Sequence, residues 1–66
     1  MKFTYIVYFF FEDLFGNRGY NNAIISTNYL VTNQTGVELI EREMSKKVVY
    51  KALSLSEIQL LKAEAV

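Results

Sequence analysis

The stretch "FTYIVYFFFED", Phe3 to Asp13, decides how the rest of the chain is read. β-branched and aromatic residues dominate it, so Phe3–Glu12 is predicted as a β-strand. A strand covering one core alternates apolar and polar residues, because successive side chains point to opposite faces. Here Tyr5, Val7, Phe9 and Phe11 make one apolar row, and Ile6, Tyr8 and Phe10 make a second. The first row suits the domain's own core, and the second requires another explanation.

Beyond this strand, "DLFGNRG" (Asp13 to Gly19) is a turn, where Gly16-Asn17 and Gly19 tolerate positive φ. "GYNNAIIST" (Gly19 to Thr27) returns as a second strand, so the first half is a hairpin. A helix follows. Thr32 or Asn33 can cap it, and Thr35-Gly36-Val37-Glu38 also fits a capping box. Val37, Ile40, Met44 and Val48 form one apolar stripe, which carries the helix past "SKK". Glu38 with Arg42 and Glu43 with Lys47 are spaced as i, i+4 pairs, and Leu39 is expected to be exposed on a monomer.

The tail reads two ways. Leu53, Ser54, Leu55 and Ser56 alternate like a strand, while Ser54-x-x-Glu57 and Ser56-x-x-Gln59 resemble helix starts. A strand over Lys51 to Gln59 is favoured, because a two-stranded hairpin with one helix is too little sheet to stand alone. Reached through one helix, this third strand runs parallel to the second and antiparallel to the first. The predicted fold is therefore a single two-layer α+β domain, ββαβ, with a three-stranded antiparallel sheet in the order 2-1-3 and one helix on one face.

Composition narrows the chemistry. The 66 residues hold no cysteine and no histidine, which removes disulfides, thiolate metal sites, the commonest transition-metal ligand and the usual general base. A chain of this size buries only about 60% of its unfolded surface, so self-association or a partner is the expected source of extra stability. Seven basic and seven acidic residues balance to zero, which argues against an electrostatic nucleic-acid binder and against a polybasic membrane anchor. The opening run ends in Glu12-Asp13 without a small-residue cleavage site and is too short for a spanning helix. A cytoplasmic location is expected on that ground, and "NQT" (Asn33–Thr35) then reads as a chance glycosylation match.

Several sharper chemistries yield to plainer readings. "GNRG" (Gly16 to Gly19) joins two strands, whereas a phosphate loop leads from a strand into a helix. Glu12 and Asp13 are neighbours on a strand end and point apart. Glu38, Glu41 and Glu43 lie among Arg42, Lys46 and Lys47 as surface charge. No serine has a plausible base. The composition points away from an enzyme, a cofactor, a bound metal or a small-molecule substrate.

The chain resembles a family of small strand–strand–helix–strand proteins common in bacteriophage and prophage genomes. The resemblance rests on Tyr5, Val7, Phe9 and Phe11 in the opening strand, then Gly16, Gly19-Tyr20-Asn21-Asn22 and Ile25. It continues through Val31-Thr32, Ile40-Glu41-Arg42-Glu43-Met44, Leu53, Leu55 and the "QLL" ending. It implies the same ββαβ fold and an accessory protein of phage or prophage type. Such a protein would act by binding a host protein, for example a component of an anti-phage defence system. In that family the alternate positions of the first strand are more polar than Thr4, Ile6, Tyr8 and Phe10 are here.

Thr4, Ile6, Tyr8 and Phe10, with Arg18 protruding from the hairpin, are accordingly the candidate binding residues, for self-association as a dimer or for a host partner. Sheet-edge pairing with another chain is a second version of this interface, because both outer strands could be open. Three other readings stay open. The segment Ile58–Val66 could fold back over Ile6, Tyr8 and Phe10. Tyr8, Phe10 and Arg18 could serve a nucleic-acid-binding accessory protein by stacking bases. A purely structural role in a larger assembly is the third.

Overall fold

A computed structural model describes residues 1–47 and 50–65. The elements are β1 (Lys2–Glu12), β2 (Arg18–Thr27), α1 (Gln34–Lys47) and β3 (Ala52–Glu64). They form one antiparallel sheet in the order β2-β1-β3, with the helix on one face, as the sequence predicts. Val48, the last residue of the expected stripe, lies outside the described residues, as does the side chain of Lys47.

The core lies between the sheet and α1. Tyr5, Val7, Phe9 and Ile25 come from the strands, and Ile40 and Met44 come from the helix. All six are at most 2% exposed. Phe11 belongs to the same face but is only half-buried; it packs against Phe9 and Tyr50, with ring centroids 6.1 and 5.1 Å away.

The Tyr5 hydroxyl ties the core to the β2–α1 connection. It accepts the Val31 N–H at 2.8 Å and donates to the Tyr29 carbonyl at 3.4 Å. Tyr5→Phe would leave the part-buried Val31 N–H without this acceptor, which costs about 1–3 kcal/mol. Urea unfolding should show the loss as a lower midpoint at unchanged slope, and an unchanged midpoint would refute it.

The hairpin loop is closed by Asp13. Its carboxylate accepts the backbone N–H groups of Phe15 and Asn17, each at 2.9 Å, and the Asn17 side-chain amide at 3.1 Å. Gly16 takes the positive φ, at 84°, that the turn requires. Gly19 does not. It is a glycine because the Phe11 ring lies across it, where a Cβ would sit 2.7 Å from the ring's Cζ. Asn33 caps α1, its side-chain oxygen accepting the Gly36 N–H at 3.1 Å.

Three expectations change. The tail is strand, and it runs to Glu64 rather than stopping near Gln59. It therefore stays in the sheet plane and does not fold back over the far face. Second, Leu39 is half-buried rather than exposed; residues one turn away on a helix sit beside each other, and Thr35, Arg42 and Glu43 flank it. Third, Glu43 pairs with Lys46, at 3.3 Å, while its expected pair with Lys47 lies outside the described residues. Glu38 and Arg42 are both exposed and form no ion pair among the described residues.

β3 reaches its length through two irregularities. Tyr8 opposes Glu57 while Phe9 opposes Leu55, which leaves Ser56 unpaired; Thr4 opposes Lys62 while Tyr5 opposes Leu60, which leaves Leu61 unpaired. Each extra residue reverses the phase of alternation. The partners of the core row Phe11, Phe9, Val7 and Tyr5 are thus Leu53, Leu55, Ile58 and Leu60.

Candidate functional site: the open face of the sheet

The helix covers the odd-numbered residues of β1, so the even-numbered ones face away from it. Ile6 and Tyr8 are half-buried and Phe10 is 54% exposed. β2 adds Tyr20 and Ile24, each 53% exposed, directly opposite Phe10 and Ile6. The aromatic rings form one cluster. Phe10 and Tyr20 have centroids 4.7 Å apart and are tilted by 52°, and Tyr8 stacks on Tyr20 at 6.3 Å with planes 14° apart. These are preferred aromatic geometries, so the rings support one another. A shallow groove of about 670 Å³ runs from it around the end of the sheet, past Phe10, Tyr20, Gly19 and Leu53.

The apolar strip is lopsided. It occupies β1 and β2, whereas β3 sets Ser54, Glu57 and Gln59 opposite Phe10, Tyr8 and Ile6. No described segment crosses this face.

One of the expected binding residues is placed differently. Thr4 is only 7% exposed, its hydroxyl 3.4 Å from that of Ser26. It sits between Ser26 on β2 and Lys62 on β3, and so small a side chain is hidden by its cross-strand neighbours. Thr4 therefore presents no surface to a partner. Arg18 is exposed, with its side chain 83% accessible, but it is ion-paired to Glu12 at 3.0 Å. Glu12 also holds Lys51 at 3.5 Å, so the acidic residue at this end of the patch draws two cations.

Tyr20 and Ile24 were not among the expected residues. Their signal is the dipeptide Ile24-Ile25: once Ile25 enters the core, period-two geometry sends Ile24 to the opposite face. Leu14 and Phe15, at the hairpin tip, are 66% and 90% exposed and belong to neither face.

Titratable groups displaced from their ordinary values lie away from the cluster. Burial, the nearby Glu43 charge and Tyr5 push the Tyr29 hydroxyl up. A hydrogen bond and the positive charge from Lys62, outweighing slight burial and helped by Lys2, hold Glu64 down. At Asp13, slight desolvation raises the pKa, but hydrogen bonds from Asn17, Phe15 and Gly16 outweigh it and hold the carboxyl below 3.8. A depressed folded-state value means that the loop is supported by ionised Asp13 above the ordinary range and loses that support as pH falls through the lower value. In an NMR titration, the Phe15 and Asn17 amide protons should move together with a midpoint below 3.8. Asp13→Asn should abolish the movement, and a midpoint at or above 3.8 would contradict the assignment.

Among the described residues, no group of three or more acidic side chains is placed to hold a metal ion. No described helix is long and apolar enough to cross a membrane. What fold and site define is a two-layer α+β domain with an aromatic cluster on a sheet face that no described segment covers. Comparison of the chain with protein-family models, curated proteins and solved structures found no significant match.

Proposed function

We propose that this chain is a small non-enzymatic binding protein that docks a protein partner on the open face of its sheet. The class of partner follows from the resemblance to phage and prophage accessory proteins: a host protein, such as a defence component, held inactive by the contact. The observation that carries the reading is the Tyr8–Phe10–Tyr20 cluster, flanked by Ile6 and Ile24 and covered by no described segment. Contiguous exposed apolar patches on a small monomer mark interaction sites. Aromatic residues on a rigid element are the usual anchors of such sites, because they bring large area at little entropic cost.

The charges around the patch favour protein over nucleic acid. Glu12 engages both Arg18 and Lys51, and Glu57 lies opposite Tyr8, so among the described residues no band of free cations surrounds the rings. The test is capture from host lysate by the wild-type chain beside Tyr8→Glu with Phe10→Glu, with Phe15→Ser as the surface control. A partner retained by the wild type and the control, and lost by the double variant, supports the reading. Equal retention by all three would sink it. Capture of nucleic acid whose binding weakens steeply with salt would replace it with the stacking alternative.

A further inference from the structure

The two edges of the sheet are unequally defended. β3 carries two register irregularities and the charged residues Glu57, Lys62 and Glu64. Bulges and charges are devices that keep an edge from pairing with another chain. β2 has no bulge and almost no charge. It runs ten residues in unbroken register with β1, without proline, and its single charge is Arg18 at the very start.

The ladder shows which backbone groups this edge offers. The Asp13 N–H donates to the Asn17 carbonyl at 2.9 Å, so that pair is a hydrogen-bonded one. By the alternation of antiparallel ladders, Phe11/Gly19, Phe9/Asn21, Val7/Ala23 and Tyr5/Ile25 are hydrogen-bonded too. The residues between them, Tyr20, Asn22, Ile24 and Ser26, turn their N–H and C=O groups outward. An independent contact agrees: the Asn22 N–H is taken up by the neighbouring Asn21 side chain at 2.8 Å, standing in for a missing strand.

We infer that the β2 edge pairs with the β2 edge of a second copy, antiparallel about a two-fold axis at Asn22, to make one six-stranded sheet. The register follows from side-chain chemistry. With Asn22 on the axis, Tyr20 of each copy lies opposite Ile24 of the other, a favourable aromatic–β-branched pair. Arg18 then lies opposite Ser26, so the only charged residue of the strand meets no like charge. The two Asn22 amides face each other, each able to donate and accept. Shifting the axis to Ala23 would instead set Asn22 against Ile24 and Tyr20 against Ser26, separating the apolar residues. Pairing of this kind is isologous and closed, so it stops at a dimer. It also joins the two aromatic strips across the axis. Edge pairing is independent of what the open face binds.

The chain contains no cysteine, so single-cysteine variants test the register directly. In a hydrogen-bonded antiparallel pair, facing Cα atoms are about 5.5 Å apart, within the ~4.4–6.8 Å that a disulfide spans. Asn22→Cys should therefore cross-link into a covalent dimer on mild oxidation. Ile24→Cys should not, because its counterpart in the other copy is four residues out of register, about 13 Å away. Both positions are exposed, so neither variant threatens the fold. Light scattering should give the unmodified chain a mass twice 7.7 kDa. Adding Tyr8→Glu and Phe10→Glu to Asn22→Cys should leave the cross-link intact, whatever it does to partner capture. A single-chain mass, equal cross-linking at both positions, or loss of the Asn22 cross-link in the charged variant would each overturn the edge pairing.

Discussion

Ile40→Ala is expected to lower stability by about 2–5 kcal/mol, the range for removing a fully buried aliphatic side chain. For 66 residues the whole stability is roughly 3–10 kcal/mol at ~0.05–0.15 kcal/mol per residue. The single substitution thus removes a large share of it, or all of it. Ile40 is 0% exposed and, with Met44, is one of the two helical residues in the buried core. No disulfide or described metal cluster is present to compensate. A melt followed by circular dichroism should fall by about 10 °C or more, since 1 kcal/mol shifts a domain of this size by ~4–8 °C. Glu38→Ala, on the exposed side of the same helix, should stay within about 0.5 kcal/mol of the parent. Equal melts for the two variants would mean that α1 does not close the core.

Tyr8→Glu with Phe10→Glu should behave in the opposite way: fold retained, partner binding lost. Both residues lie on β1 between core residues, so the contrast depends on the faces being separate. Phe9 is 2% exposed under the helix while Phe10, next to it, is 54% exposed on the other side. A glutamate at position 10 remains in water. At position 8 it gives up the Tyr20 stack, worth about 0.5–1.5 kcal/mol, and it stands opposite Glu57. A lower melting temperature with an intact helix signal is the expected cost. In binding, two anchors worth about 1.5–3 kcal/mol each when fully buried are replaced by charges that a partner would have to desolvate. Partner capture should vanish. Global unfolding of the double variant would instead show that the open face is a second core.

How far the sequence could be read follows from how local each signal is. β1 and the hairpin were legible because their evidence lies within a few residues: a dense β-forming run, then Gly16 and Asn17. The helix showed itself by the spacing of Val37, Ile40 and Met44. The sheet order then followed from connection length alone. β3 was harder because its apolar residues, Leu53, Leu55, Ile58 and Leu60, are spaced two, three and two apart. That mixture matches neither a strand nor a helix until the unpaired Ser56 is known.

The site divides along the same line. That Ile6, Tyr8 and Phe10 lie together on the face away from the helix was readable from period-two geometry within one strand. That Tyr20 and Ile24 complete the strip, that Thr4 is hidden, and that Arg18 is paired to Glu12 all depend on which residue of one strand faces which residue of another. Pairing register is a property of two segments at once. The first hairpin, the helix and the surplus apolar row of β1 can be read from the chain alone, whereas for the tail the chain only favours a strand over a helix. What stands beside that row, that the tail extends the sheet as far as Glu64 rather than covering it, and which edge is left undefended emerge from the folded molecule. The physical reason is that cross-strand neighbours are set by hydrogen-bond register and bulges, and neither is encoded in any single stretch of chain.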